Sequence, residues 1–292
     1  MQNKELNLKQ AIEIFSQYLA GKNAPQTTIR AYSDDLRQFA KWLAGETGED
    51  RVQRIDKLDI EGYLSYLGRQ KLTGITRRRK LQSLRKFFNC MIDLEYVDKN
   101  PAAKVSPPNG EKRNPTILYQ HEYKALLYEA RNNPRDLAVL QTFLQTGIRV
   151  GELCHLTLED IDLQAKELIV RQGKGATDRS IPLTEKAVEA LKAYLDIRPQ
   201  TDTRAVFLSK HTTPLDVRSV NYMVKKYVKK AGIKKPVSVH TLRHTCATHK
   251  ADKGMSLTDL QAILGHRRLE TTYKYLHLAK TSLRDQMEAT AL

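Results

Sequence analysis

The sequence predicts a mainly α-helical protein in two parts: an all-helical unit over residues 1–97 and an α+β unit over residues 116–292, with a linker at 98–115. Three observations lead there. Apolar residues recur at i, i+3 and i+4 through most of residues 7–97, the spacing that gives a helix one buried face. The stretch DKNPAAKVSPPNGEKRNP then brings four prolines and a glycine with neither helical nor strand periodicity, as a linker does. Beyond it, ELIVRQGKGATDRSIPL reads as a β-hairpin set in an otherwise helical pattern.

The helices of the first part are LKQAIEIFSQYL, TTIRAYSDDLRQFAKWL, DIEGYLSYLGRQ and TRRRKLQSLRKFFNCMIDL, with Thr27, Asp56 and Thr76 available as N-caps. Leu81, Leu84, Phe87 and Phe88 mark the buried face of the fourth. Its first residues, Arg77, Arg78, Arg79 and Lys80, form a basic end free to meet phosphates. In the second part LYQHEYKALLYEA and RDLAVLQTFLQTG are amphipathic, Gly147 serves as a C-cap, and IRVGELCHL resumes as a helix. The hairpin has an apolar strand, a turn with two glycines around Lys174, and a second strand stopped by Pro182. TEKAVEALKAYL, VRSVNYMVKKYVKKAG, SVHTLRHTCATHKADKG and SLTDLQAILGH are further helices. Lys225, Lys226 and Lys229 lie on a second basic stripe, which contacts DNA only if a site beside it needs phosphate.

Forty per cent hydrophobic residues in a chain of 292 suffice for two packed cores. Lys plus Arg outnumber Asp plus Glu by 49 to 33, giving a formal net charge of +16. A field of that size favours a polyanionic partner, nucleic acid first. Charge is spread too evenly for a membrane span. The N-terminal MQNKELNLKQAIEIF lacks the apolar core of a secretory signal, so a cytoplasmic location is expected. Cys90, Cys154 and Cys246 are odd in number, far apart and without a CxxC pair, so neither disulfides nor a cysteine zinc site is expected.

Several residues are suited to phosphate chemistry. Arg149 follows a helix break in TGIRVGEL, with Glu152 three residues on and able to pair with it. HTLRHT places His240 and Arg243 on one face near a helix start capped by Ser238, where backbone N–H groups also favour an anion. His244, four residues after His240, raises a zinc reading. That reading fails because no Glu follows the first histidine and Arg243 would repel a dication. Lys174 sits at a glycine-flanked hairpin tip, where a long cation can swing into a cleft; no Walker sequence surrounds it. LGHRRLETTYKYLHL brings His266 close to Tyr273 and Tyr275, with Thr271 available to cap a helix. Two residues apart on a helix is about 200°, so at most one of these tyrosines can face a shared site.

TGIRVGEL, GKGATDRSIPL, HTLRHTCATH and LGHRRLETTYKYLH occur in an order and at separations that resemble the tyrosine recombinase (phage integrase) family, most closely its Xer-like members. TTIRAYSDDLRQFAKWL is similar to that family's SAM-like core-binding domain, so the resemblance covers nearly the whole chain. It implies that Arg149 and Arg243 clamp the scissile phosphate, Lys174 is the catalytic lysine, His240 and His266 are the two histidines, and Glu152 supports the arginine. Tyr275, followed two residues later by His277, falls on the nucleophile position and Tyr273 does not. A 3′-phosphotyrosyl intermediate on double-stranded DNA is implied, with no metal or nucleotide cofactor. The implied assembly is a tetramer on two DNA sites, of this chain or with a related recombinase, in which C-terminal tails are exchanged.

These residue types suit the reaction. A phosphodiester anion repels nucleophiles, so forked guanidinium groups must neutralise the charge that builds in the transition state. A tyrosine of ordinary pKa is ionised to about one part in a thousand at pH 7, a deficit of about 4 kcal/mol that cations or a neighbouring histidine must supply. Lys174 is placed to protonate the leaving 5′ oxygen, while His240 and His266 position the phosphate or shuttle protons. Arg267, Leu276 and Cys246 depart from the commonest family strings without removing a catalytic group. A type IB topoisomerase would share the chemistry without a cognate site, and a DNA-binding regulator would share the fold without cleavage.

Overall fold

The computed structural model describes residues 5–110, 114–171 and 178–276. The chain divides into two compact units, Met1–Arg113 and Asn114–Leu292. Among the described residues no helix is long and apolar enough to cross a membrane.

The first unit is built from α1 (Leu8–Gly21), α2 (Gln26–Glu46), α3 (Lys57–Arg69) and α4 (Gly74–Asp93). Each buries the face its periodicity marks: Leu8, Ala11, Ile12, Phe15 and Leu19 in α1, and Leu81, Leu84, Phe87, Phe88 and Met91 among those of α4. Phe15 meets Phe87 edge-on with ring centres 5.7 Å apart, and Phe39 meets Tyr63 at 5.1 Å. Such pairs add about 0.5–1.5 kcal/mol beyond their buried area. Asp56 caps α3, taking the N–H groups of Leu58 and Asp59. The other caps differ from expectation. Thr73, in extended backbone, caps α4, and α2 follows Pro25 with no side-chain cap, so Thr27 and Thr76 lie inside the first turns.

The proline-rich stretch is partly structural. Ala102 and Val105 are buried in the first core, and Arg85 donates from Nε to Ala102 O at 3.0 Å and from Nη2 to Val105 O at 2.6 Å. Prolines erase periodicity without preventing burial, so the 98–115 stretch differs from a pure linker at these two residues.

A buried ionic cluster ties α2 to α4. Asp35 accepts from Lys80 Nζ at 2.8 Å, Arg79 Nη2 at 2.8 Å and Ser83 Oγ at 2.7 Å. Lys80, only 4% exposed, also donates to Gln38 Oε1 at 2.6 Å. Burial alone would raise the Asp35 pKa, but hydrogen bonds from Arg79, Lys80 and Ser83 outweigh it and hold the carboxyl below its usual range. The expected DNA contact at Lys80 is therefore corrected: its charge is cancelled inside the helical unit.

In the second unit α5 (Gln120–Ala130), α6 (Pro134–Thr146) and α7 (Val150–His155) precede a three-stranded antiparallel sheet of β1 (Ile161–Asp162), β2 (Glu167–Val170) and β3 (Arg179–Pro182). Leu168 pairs with Ile181 and Val170 with Arg179, and Leu168, Val170 and Ile181 face the core. β1 was not expected, because two residues are too short to show alternation. The chain continues through α8 (Glu185–Leu195), α9 (Val217–Lys230), α10 (Val239–Asp252), α11 (Leu257–Leu264) and α12 (Glu270–Leu276). Helix α10 is central and packs on α6, α9, α11 and α12. Its buried residues include Thr241, Leu242, Arg243, Thr245, Cys246 and Ala247, so it has no wholly polar face. Thr245 keeps its hydroxyl satisfied there, donating to Thr241 O at 2.8 Å and accepting from Leu118 N at 2.9 Å. The hairpin tip with Lys174 and the tail from His277 onward lie outside the described residues.

Candidate active site

Two helix C-termini hold the two arginines. α6 ends at Gly147, whose φ of 65° is the left-handed cap, and Gly147 O accepts from Arg243 Nη1 at 2.5 Å. The left-handed conformation favours glycine at 147, and a Cβ there would lie 2.9 Å from Leu264 Cδ2, so that side chain would have to shift. α11 ends at Gly265 in the same conformation (φ 62°); here Leu264 O accepts from Arg243 Nη2 at 2.7 Å and Gly265 O from Arg149 Nη2 at 3.0 Å. Cations suit these positions, since the partial negative charge of a helix collects at its C-terminal carbonyls.

Arg243 is 5% exposed, and among the described residues no carboxylate hydrogen-bonds it. Burial, and then the nearby charge of Arg149, lower its pKa to about 10. It remains a cation whose charge is steadied by dipoles but not cancelled, and the N–H groups not used by carbonyls are left for an anion. Arg149, at the start of α7, pairs with Glu152 through Nη1 at 2.7 Å, and its backbone N–H donates to the same carboxylate at 2.7 Å. Glu152 also takes both terminal nitrogens of Arg179, at 3.1 and 2.8 Å, and Arg179 Nε donates to Ile263 O at 2.9 Å. Burial would raise the Glu152 pKa, but hydrogen bonds from Arg179 and Arg149 outweigh it and hold it low. Arg179 had not been singled out: its partner lies 27 residues away in sequence, beyond the reach of local pattern.

The two tyrosines separate as the helical angle requires. Tyr275 is 0% exposed and Tyr273 46% exposed. Tyr275 Oη lies 2.9 Å from His244 Nδ1, and the Tyr275 ring stacks on His266 at 6.3 Å with 9° between planes. His266 Nδ1 contacts Thr272 Oγ1 at 2.9 Å. Burial, followed by the charges of Lys274 and His240, lowers the His244 pKa to about 4; burial and then Arg243 do the same to His266. Burial pushes the Tyr275 hydroxyl up to about 12, against the opposing pull of Arg243. Lys274 Nζ stands 5.0 Å from the Tyr275 ring centre. Arg149, Gly265, His266, Arg267, Arg268 and Thr271 line an open cleft beside this cluster.

Of the expected catalytic residues, Arg149, Glu152, Arg243, His266 and Tyr275 converge, and His240 is exposed on the first turn of α10. His244, weighed only as a zinc ligand, is the residue that contacts the nucleophile candidate. Thr271 lies inside α12, which begins at Glu270, and does not cap it. Lys225, Lys226 and Lys229 are exposed along α9. Arg78 is exposed and donates to Pro108 O at 3.2 Å, Arg79 is exposed but holds Asp35 through both terminal nitrogens, and Arg77 Nε is buried without a hydrogen-bond partner among the described residues.

Residues 116–282 match the phage integrase family, and residues 12–93 match the phage integrase N-terminal SAM-like domain. The chain belongs to the phage integrase family. Within this family it is 38% identical over 264 residues to the tyrosine recombinase XerC of Pelobacter propionicus, covering 88% of this chain and 87% of that protein. It is 33% identical over 291 residues to XerC of Bacillus pumilus, covering 95% of each. The crystal structure of XerA recombinase is 30% identical and aligns over 98% of this chain and 99% of that one with a TM-score of 0.57. The Tn1549 transposon integrase, solved with transposon right end DNA, shares the integrase fold at a TM-score of 0.80 over 98% of this chain and all of that one, at 20% identity.

Proposed function

We propose that this phage integrase family member is a site-specific recombinase that cuts and rejoins duplex DNA through a 3′-phosphotyrosyl link at Tyr275. The observation that carries the residue assignment is the convergence on Tyr275, and not on Tyr273, of buried cationic and imidazole groups. Arg149 and Arg243 receive the non-bridging phosphate oxygens, and because carbonyls and Glu152 already hold them, little reorganisation is needed as charge builds. Tyr275 Oη attacks phosphorus, the 5′ oxygen departs, and Lys174 is the reading for its proton donor. The bond energy is kept in the ester, so a second 5′ hydroxyl can reverse the step without nucleotide or metal.

Residues 1–97 are read as the DNA-gripping part and residues 116–292 as the catalytic part, with Arg77, Arg78, Arg79, Lys225, Lys226 and Lys229 as backbone contacts. The DNA-bound integrase structures that share the fold support this, as does the net charge of +16. A tetramer on two DNA sites is the assembly proposed here, supported by the lambda integrase tetramer bound to a Holliday junction, and the cytoplasm is the proposed location.

The deciding experiment is covalent capture. Nicked fragments of the host genome are incubated with the wild-type protein and with Tyr275→Phe and Tyr273→Phe; protein-linked DNA is then sequenced and the linked peptide mapped. Linkage through Tyr275 at one recurrent site, lost in Tyr275→Phe and kept in Tyr273→Phe, is expected. Scattered sites would mean a topoisomerase, and no adduct with intact specific binding would mean a regulator.

A further inference from the structure

We infer that His244 is the group that takes the proton from Tyr275 as the phosphotyrosyl bond forms, a role distinct from those of His240 and His266. The inference rests on the recombinase reading and adds a residue to it.

Contact comes first. Among the described residues His244 Nδ1, at 2.9 Å, is the hydrogen-bond partner of Tyr275 Oη. His266 stacks on the ring of Tyr275, but its Nδ1 is engaged by Thr272 Oγ1 at 2.9 Å. His240 lies one turn before His244 on α10 and is exposed. A general base must reach the proton it removes, about 2.6–3.2 Å between heavy atoms, and His244 meets that condition in the free protein.

Protonation state comes second. Half-buried among Lys274, His240 and Arg243, the His244 imidazole is neutral at pH 7. In the tautomer with hydrogen on Nε2, its Nδ1 lone pair accepts from the tyrosine hydroxyl. In the resting site a full transfer is uphill, because the same cations that favour a phenolate disfavour an imidazolium. The substrate changes this balance. A phosphodiester against Arg149 and Arg243 offsets the positive charge around His244, and the negative charge developing on the phosphoryl oxygens favours the imidazolium as the Tyr275 oxygen bonds to phosphorus.

The step balances without an oxidant or cofactor. The Tyr275 O–H bond breaks, its oxygen forms the O–P bond, and the proton goes to His244 Nδ1. The P–O5′ bond breaks, and the leaving oxygen takes a proton from the acid for which Lys174 is the reading. On religation the imidazolium returns its proton to the tyrosine oxygen.

The test uses the full chain and a nicked duplex carrying the sequence recovered by covalent capture, made with oxygen or with sulfur at the bridging 5′ position. A 5′ thiolate leaves without protonation, so sulfur bypasses the acid but not the base. His244→Asn keeps a hydrogen-bond acceptor near the place of Nδ1 but removes basicity. It is expected to cut cleavage and religation on the order of a hundredfold, with DNA binding retained and no rescue by sulfur, whereas Lys174→Ala is rescued. If His244→Asn is poorly folded, His244→Gly with imidazole in solution takes its place, and added imidazole is expected to restore adduct formation. Cleavage by His244→Asn at the wild-type rate, its restoration by sulfur, or indifference of a folded His244→Gly protein to imidazole would overturn the assignment. Failure of the wild-type protein to form any Tyr275 adduct would instead overturn the recombinase reading beneath it.

Discussion

Two cations are buried to nearly the same degree in the two units, Lys80 at 4% exposure and Arg243 at 5%, and they are held in opposite ways. Lys80 meets the full opposite charge of the Asp35 carboxylate, which Arg79 shares from the surface. Arg243 meets two peptide carbonyls at helix ends, which offer dipoles but no opposing charge. Desolvating a charge without cancelling it leaves an affinity for an anion. Burial alone therefore does not separate structural from functional cations. What differs between these two is the formal charge of the partner.

The largest effect expected from breaking this comparison is on the structural side. Asp35→Ala leaves Lys80 buried without its carboxylate and should cost about 3–5 kcal/mol in chemical denaturation. A loss near zero would mean that Arg79 and water substitute freely and that the cluster is not a closed unit. Arg243→Ala, by contrast, should slow DNA cleavage by on the order of a hundredfold to a thousandfold, as for other preorganised charge stabilisers, with a smaller change in stability than Asp35→Ala. Near-normal cleavage in single-turnover assays would remove Arg243 from the phosphate clamp.

Acid sharpens the contrast between units. His244 and His266 have pKa values lowered from 6.5 to about 4, so on acidification the unfolded chain takes up protons first and the second unit loses stability between those values. The Asp35 pKa is lowered, so its contribution is intact above the ordinary carboxylate value of about 3.9 and is lost only as pH falls below it. Trp42, the single tryptophan, lies against the first core and reports on that unit. Melts at falling pH should show circular dichroism weakening before Trp42 fluorescence changes; simultaneous transitions would contradict it. The smallest effect expected is a rise in Tm on adding inorganic pyrophosphate to the wild-type protein, larger than in Arg243→Ala, as mass action requires of an anion bound to the native state. Equal shifts in both proteins would place the anion elsewhere.

Much of this was legible in the sequence, for reasons that differ residue by residue. The helices of the first unit followed from periodicity because each carries one apolar stripe, and Asp56 and Gly147 were readable as caps because their roles are local. That Tyr273 and Tyr275 face different surroundings followed from the helical angle alone. Lys80 and Arg179 were not readable, since what decides them is a carboxylate 45 or 27 positions away. His244 was visible in HTLRHT, but its contact with Tyr275 depends on the approach of α12, which no local pattern encodes. The two-residue strand β1 and the buried Ala102 and Val105 fell below the length at which a period can be counted.

Thr272 and Tyr275 stand three residues apart on α12, so they share a face, and both touch histidines, His266 and His244 respectively. A rigid displacement of α12 would therefore break both tethers in one movement. The seating of this one seven-residue helix is thus a single variable that sets the surroundings of the Tyr275 hydroxyl and the orientation of His266 together.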